Sequence, residues 1–235
     1  MSEVVEFRRY RPGSQPPYDV KAYVGTHKRH PKQKLRPMPQ TVTEVTGPEF
    51  PAARFPATAD LTKFAGGEAQ GQRIVVGGTV TDEDGRPVPR TMLEIWQANA
   101  AGRYHHPGDQ HDAPIDPHFH GSGRVFTDEA GRYRVVTIYP GAYPWPNHPN
   151  AWRPNHIHFS LFGPAFATRL ITQMYFPGDP LLLLDPIFNG VPDWEARERL
   201  VSTFDLTLTE PDWALGYRFD IVLRGRAETP MENRA

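Results

Sequence analysis

From Arg73 onward, apolar and polar positions alternate with a period of two. That is the repeat of a strand whose successive side chains face opposite ways. The segments RIVVGGTV and TMLEIWQA are rich in strand formers and flank a turn at Glu83, Asp84 and Gly85. RYRVVTIY, NHIHFSLF, RLITQMYF and GYRFDIVLR predict further strands. In the last, Tyr217, Phe219, Ile221 and Leu223 share one face, and Arg218, Asp220 and Arg224 the other. The pieces TDEDGR and TDEAGR predict two similar hairpin turns, and PDWEARERLV one short helix with Asp193 near its start. Many short strands and few helices predict an all-β fold, an antiparallel β-sandwich. Residues 98–122 and 140–154 are too long for tight turns, and long loops on a rigid sandwich are where sites tend to lie.

Residues 1–70 read differently. Prolines recur from Pro12 to Pro56 and interrupt regular structure. The segment is either a disordered tail or an extended N-terminal arm wrapped over the body or a partner chain. Buriable Tyr18, Tyr23, Phe50, Phe55 and Leu61 favour the arm. The expected organisation is an arm over 1–70 and a β-sandwich domain over 71–235.

Composition narrows the chemistry. The chain has 235 residues, a net charge of -1 and no cysteine. Near-neutrality argues against nucleic acid as a partner. The missing cysteines exclude a disulfide scaffold, a thiolate metal site and a cysteine nucleophile. No apolar run approaches the ~20 residues of a membrane span, and the N-terminus lacks a signal-peptide core. A soluble, cytoplasmic protein with no membrane partner is therefore expected. The 26 prolines and 20 glycines suit a fold of many turns.

Ten histidines without cysteine point to nitrogen and oxygen ligation of any metal. His156 and His158 lie two apart in NHIHFSLF, so they share a strand face with Ser160 and make half a metal site. His118 and His120 repeat the spacing in a loop, where geometry is less well held. His105, His106, His111 and His148 read as solvated loop residues. A zinc enzyme would add a third histidine or a carboxylate, and Asp109, Asp112 and Asp116 are available. The two long loops also carry Tyr104 and Tyr143. Phenolate, with a free pKa of ~10, requires a strongly Lewis-acidic ion such as Fe(III). Spacing alone leaves both ligand sets open.

The segments GTVTDEDGRPVP, LEIWQANAAGRYHHP, TIYPGAYPWPN and NAWRPNHIHFSLFGPAFATRLITQMYFPGDP, with the arm MPQTVTEVTGPEF and the strand YRFDIVLRG, resemble the intradiol aromatic-ring dioxygenases. The most specific part is the Tyr, Tyr, His-x-His set with an arginine three residues before the first histidine. The resemblance implies non-haem Fe(III) held by Tyr104, Tyr143, His156 and His158, with Tyr143 and His158 axial, Tyr104 and His156 equatorial, and hydroxide as fifth ligand. Two tyrosinates and one hydroxide would neutralise the ferric charge, which suits a buried site. It further implies that Tyr143 is a releasable ligand and proton acceptor, that Arg153 and Gln173 serve catalysis, and that Tyr23, Trp145 and Ile187 line the substrate pocket. His118 and His120 have no counterpart in the motif.

Within the family, the chain resembles the iron-bearing β type, which works with a related α chain in an αβ hetero-oligomer. The implied reaction is cleavage of 3,4-dihydroxybenzoate by O2 to 3-carboxy-cis,cis-muconate, in the β-ketoadipate pathway of aromatic catabolism. Relatives acting on catechol or hydroxyquinol are longer homodimers with an N-terminal helical region, which is not visible here. The other readings are a zinc hydrolase using His156, His158 and an aspartate, and a non-enzymatic β-sandwich binding module.

Overall fold

The computed structural model describes residues 10–36, 54, 56–162 and 169–232. The sequence-predicted Phe50, Phe55 and the segment 38–50 lie outside them. A two-residue ladder, β1 (Lys63–Phe64) with β2 (Gly67–Glu68), precedes the two sheets that form the body. The first runs in the order β10–β9–β4–β5: β4 is Met92–Trp96, β5 Ser122–Phe126, β9 His156–Phe162 and β10 Arg169–Tyr175, all antiparallel. The second is built on β3 (Arg73–Thr81), which pairs antiparallel with β6 (Arg132–Ile138). On its other edge β3 pairs in parallel with β12 (Leu215–Arg218) and β13 (Ile221–Val222), and β11 (Thr203–Phe204) borders β12. The sandwich is thus as read from the alternation, but its second sheet is mixed. Parallel neighbours require a long crossover, and here β12 returns to β3 after more than a hundred intervening residues.

Between the sheets lies the core. Ile74, Val76, Leu93, Ile95, Val135, Ile157, Phe159 and Leu161 are all essentially inaccessible. Burying each such side chain contributes about 1.5–3 kcal/mol relative to exposure. On β9 the alternation sends Ile157, Phe159 and Leu161 into this core. His156, His158 and Ser160 therefore face outward from it, and all three are still buried. Loops and the chain's C-terminal residues cover that second face.

Local signals resolve as their chemistry dictates. Asp82 Oδ1 accepts from Asp84 N and Arg86 N, and Asp128 Oδ1 accepts from Ala130 N and Arg132 N. The two turns are alike, but each leads from one sheet to the other rather than joining neighbours within one. The short helix is Trp194–Glu198, capped by Asp193, whose Oδ1 accepts from Ala196 N at 3.0 Å. GYRFDIVLR is split at Phe219–Asp220, between β12 and β13. A Cβ on Gly78 would stand 2.0 Å from Phe219 O, so the strands cross there at a separation only glycine permits. Asp220 Oδ1 fills the break by accepting from Thr79 N and Oγ1. The predicted apolar face survives, with Phe219, Ile221 and Leu223 buried.

Residues 10–36 run along the body. Arg11 pairs with Asp193 and Glu195, Gln15 Nε2 donates to Glu228, and Val24 N donates to Asn147 Oδ1. No helix among the described residues is long and apolar enough to cross a membrane.

Candidate metal centre

Three pieces of chain bring the site together. β9 supplies His156 and His158 on its outward face. A two-residue ladder, β7 (Tyr143–Pro144) with β8 (Trp152–Arg153), sets Tyr143 opposite Arg153. Tyr104 comes from the loop after β4, where Asn99 Oδ1 accepts from Ala101 N and Arg103 N, and Asp109 Oδ2 accepts from Tyr104 N. Gly102 lets the two tyrosine-bearing loops touch. Its φ is +81°, and a Cβ there would lie 2.1 Å from Ala142 O.

Tyr143 Oη lies 3.2 Å from His156 Nε2, which lies 3.2 Å from His158 Nε2. The Tyr104 ring meets that of Tyr143 edge-on at 5.4 Å and that of His158 at 6.4 Å. Trp96 stacks on His158 at 4.8 Å and 5°. The outer nitrogens of the imidazoles fix their protons. His156 Nδ1 faces the carbonyl of Pro154 at 2.6 Å, and His158 Nδ1 faces the Glu232 carboxylate at 3.1 Å. Both partners only accept, so each Nδ1 carries a proton and each Nε2 is turned toward the other ring. Nearby, Tyr104 Oη is buried without a hydrogen-bond partner, an arrangement that ordinarily costs about 1–3 kcal/mol.

This donor set fits a hard, highly charged cation. Burial, and then its neighbour Tyr143, pushes the Tyr104 phenol well above its ordinary pKa. Burial also raises Tyr143, against the opposing charge of Arg153. Burial, with Arg153 and His158, holds His156 well below its ordinary value, so it stays neutral. Ionising two such phenols takes a strong Lewis acid.

Arg153 sits beside this group. It is 3% exposed. Its Nε donates to Asp185 Oδ1 at 2.9 Å, and its Nη2 to Asp185 Oδ2 at 3.2 Å, to Gln173 Oε1 and to Tyr175 Oη. Burial opposes its charge most strongly, but Asp185, Tyr175 and Tyr143 together outweigh burial and the pKa rises. The guanidinium lies 5.4 Å from the centroid of Trp145, which meets Tyr23 edge-on at 5.1 Å. Ile187 is buried two residues after Asp185, and its N–H points to Asp185 Oδ1. Register across β9 and β10 sets Gln173 opposite His158 and Tyr175 opposite His156.

A cavity of about 460 Å³ borders Tyr104, Tyr143, His158 and Trp96. Tyr23, Trp145, Arg153 and Ile187 do not border it. His118 contacts Phe64 O, whereas His120 contacts Ser122 Oγ and borders the same cavity as Tyr104, Tyr143 and His158. Asp109 and Asp116 hold loop backbone. Among the described residues, no three histidine, aspartate or glutamate side chains form a metal-binding group. The aspartate-completed zinc set is therefore not assembled.

Four residues at the site escaped sequence reading: Trp96, Tyr175, Asp185 and Glu232. Tyr175 had a signal, since it lies two residues from Gln173 on a predicted strand. Asp185 and Glu232 had none.

Residues 45–225 match the family described as Dioxygenase, and residues 7–41 the family described as Protocatechuate 3,4-dioxygenase beta subunit N terminal. A protocatechuate 3,4-dioxygenase beta chain from Burkholderia cepacia is 59% identical over 93% of this chain and 94% of its own length. A protocatechuate 3,4-dioxygenase alpha chain from Pseudomonas putida is 30% identical over 82% of this chain and 95% of its own. Among solved structures, the dioxygenase domain of a dioxygenase and carbohydrate-binding protein fusion from Streptomyces sp. SirexAA-E is similar, at 26% identity and a TM-score of 0.53. It covers 76% of this chain and 94% of that one. The chain belongs to the intradiol ring-cleavage dioxygenases. It is an enzyme of a family that uses non-haem iron.

Proposed function

We propose that Tyr104, Tyr143, His156 and His158 hold one ferric ion, and that the chain is the catalytic β partner of an αβ assembly cleaving 3,4-dihydroxybenzoate. The reaction opens the ring between the two hydroxylated carbons and adds both atoms of O2, giving 3-carboxy-cis,cis-muconate. The observation that carries the reading is the convergence of two imidazole Nε2 atoms, 3.2 Å apart, beside Tyr143 Oη and the buried, unpartnered Tyr104 Oη. The 59% identity to a chain named for this activity supports the substrate, and the similarity to an α chain supports the partner.

When bound, ferric iron would supply a Lewis acid for the catechol oxygens and prime the ring for O2. Tyr143 Oη, as phenolate, would accept one substrate hydroxyl proton. Arg153 offers a fixed positive charge to the ring carbon on which negative charge builds, an effect worth about 10²–10³ in rate for comparable preorganised donors. Gln173 and Asp185 hold that guanidinium in plane. Tyr23, Trp145 and Ile187 form an apolar wall that orients the ring, and the arm carrying Tyr23 also meets the α chain.

Metal analysis and an absorption spectrum of the purified protein test the centre: one iron per chain and a tyrosinate-to-iron charge-transfer band are expected. Colourless protein holding zinc would refute it. Oxygen uptake tests the substrate, with 3,4-dihydroxybenzoate expected to outpace catechol and hydroxyquinol.

A further inference from the structure

Both imidazoles of the quartet are oriented from behind, but not in the same way. His156 Nδ1 meets a backbone carbonyl two residues away, a contact that β9 makes for itself. His158 Nδ1 meets Glu232 Oε2 at 3.1 Å across 74 residues of chain. That carboxylate is delivered by the C-terminal residues, which run beside β10. Glu232 N donates to Ile171 O at 2.9 Å, and Thr172 Oγ1 donates to Pro230 O at 2.7 Å. The arm then locks the return: Met231 N donates to Gln15 Oε1 at 2.8 Å, while Gln15 Nε2 donates to Glu228 Oε1 at 2.9 Å. Gln15 is buried, as are Glu228 and Thr229. Trp96 pins the opposite side of the His158 ring by stacking.

We propose that Glu232 is a positioning residue for His158, and that the arm and C-terminal return, joined at Gln15, form a clamp that sets the iron affinity of the site. The proposal rests on the ferric quartet described above. A carboxylate behind a metal-bound imidazole fixes the tautomer and strengthens the ring as a donor, and losing such a partner typically costs 10–100-fold in metal affinity or activity. Through the clamp, an arm far from the ligands in sequence is linked to the centre. The single side chain of Gln15 satisfies a main-chain donor next to Glu232 and a buried carboxylate together.

The test uses the full chain, loaded with ferric iron, and follows iron release to an excess chelator together with the charge-transfer band. Glu232→Ala is expected to release iron about 10–100-fold faster than the parent. Glu232→Gln keeps an acceptor for Nδ1–H but removes the charge. It should retain iron, with the band moved to longer wavelength because a weaker imidazole donor leaves the metal more electron-poor. Gln15→Ala should speed release in the same direction as Glu232→Ala. Release rates and a band equal to the parent's in both Glu232 variants would overturn the proposal. If Glu232→Ala does not fold, the near-isosteric Glu232→Gln decides through its band. A parent protein that takes up no iron would instead overturn the quartet itself, a result separable from any behaviour of the variants.

Discussion

At the scale of single residues, the site is a set of buried polar groups whose partners decide their behaviour. Tyr104 buries its hydroxyl without a hydrogen-bond partner. Tyr104→Phe is therefore expected to raise the stability of the iron-free protein, by up to about 1–3 kcal/mol, while weakening iron retention. Chemical unfolding in the presence of a chelator checks the first part, and a destabilised variant would reveal a hidden partner for Oη. Arg153 and Asp185 form a buried ion pair, with side-chain exposures of 4% and 0%. Removing one member of such a pair strands the other and costs about 3–5 kcal/mol. Arg153→Ala should thus lose both turnover and stability. Adding Asp185→Asn should recover much of the stability and none of the turnover. A double variant as unstable as the single one would mean that Arg153 matters mainly through packing against Trp145.

Elements bring these residues to within bonding distance, and glycines set how closely they approach. The loops bearing Tyr104 and Tyr143 touch at Gly102, where both the positive φ and the nearness of Ala142 O exclude a side chain. Gly102→Ala should push the loops apart and reduce iron content several-fold. Gly85→Ala is the matched control: its φ is +77° with nothing within 4 Å, so it carries backbone strain without crowding and should keep its iron. A different element shows how acid acts on the fold. Asp205 accepts from Thr207 N and Oγ1 and from Arg218 Nε, and with the Thr207 hydroxyl first among the causes its pKa falls to about 2. A carboxylate held low in the folded chain stabilises it above the unfolded value of ~3.9. That contribution fades as pH falls toward about 2. Asp205→Asn should accordingly be less stable than the parent at pH 6, with the difference closing below pH ~4 in acid-unfolding curves.

The whole molecule adds what neither residues nor elements supply. Residues 10–36 bring Tyr23 against Trp145, and Asn147 ties them to the Trp145 loop by accepting from Val24 N and donating to Ala22 O. Asn147→Ala should raise KM for 3,4-dihydroxybenzoate several-fold while iron content stays at the parent level. Equal KM values would detach the arm from substrate binding.

Much of this was legible in the chain itself. The alternation in NHIHFSLF determines that His156 and His158 share a face, because a strand's side chains repeat every two residues whatever it packs against. The cap at Asp193, the paired turns and the split between apolar and polar faces follow equally from short-range geometry. Only tertiary structure decided that the histidine face is buried, that β12 and β13 run parallel to β3, and that Asp185 and Glu232 complete the site. Those partners lie 32 and 74 residues from the groups they hold. Local periodicity carries no trace of such separations, because a buried charge is set by what packs across from it rather than by its neighbours along the chain.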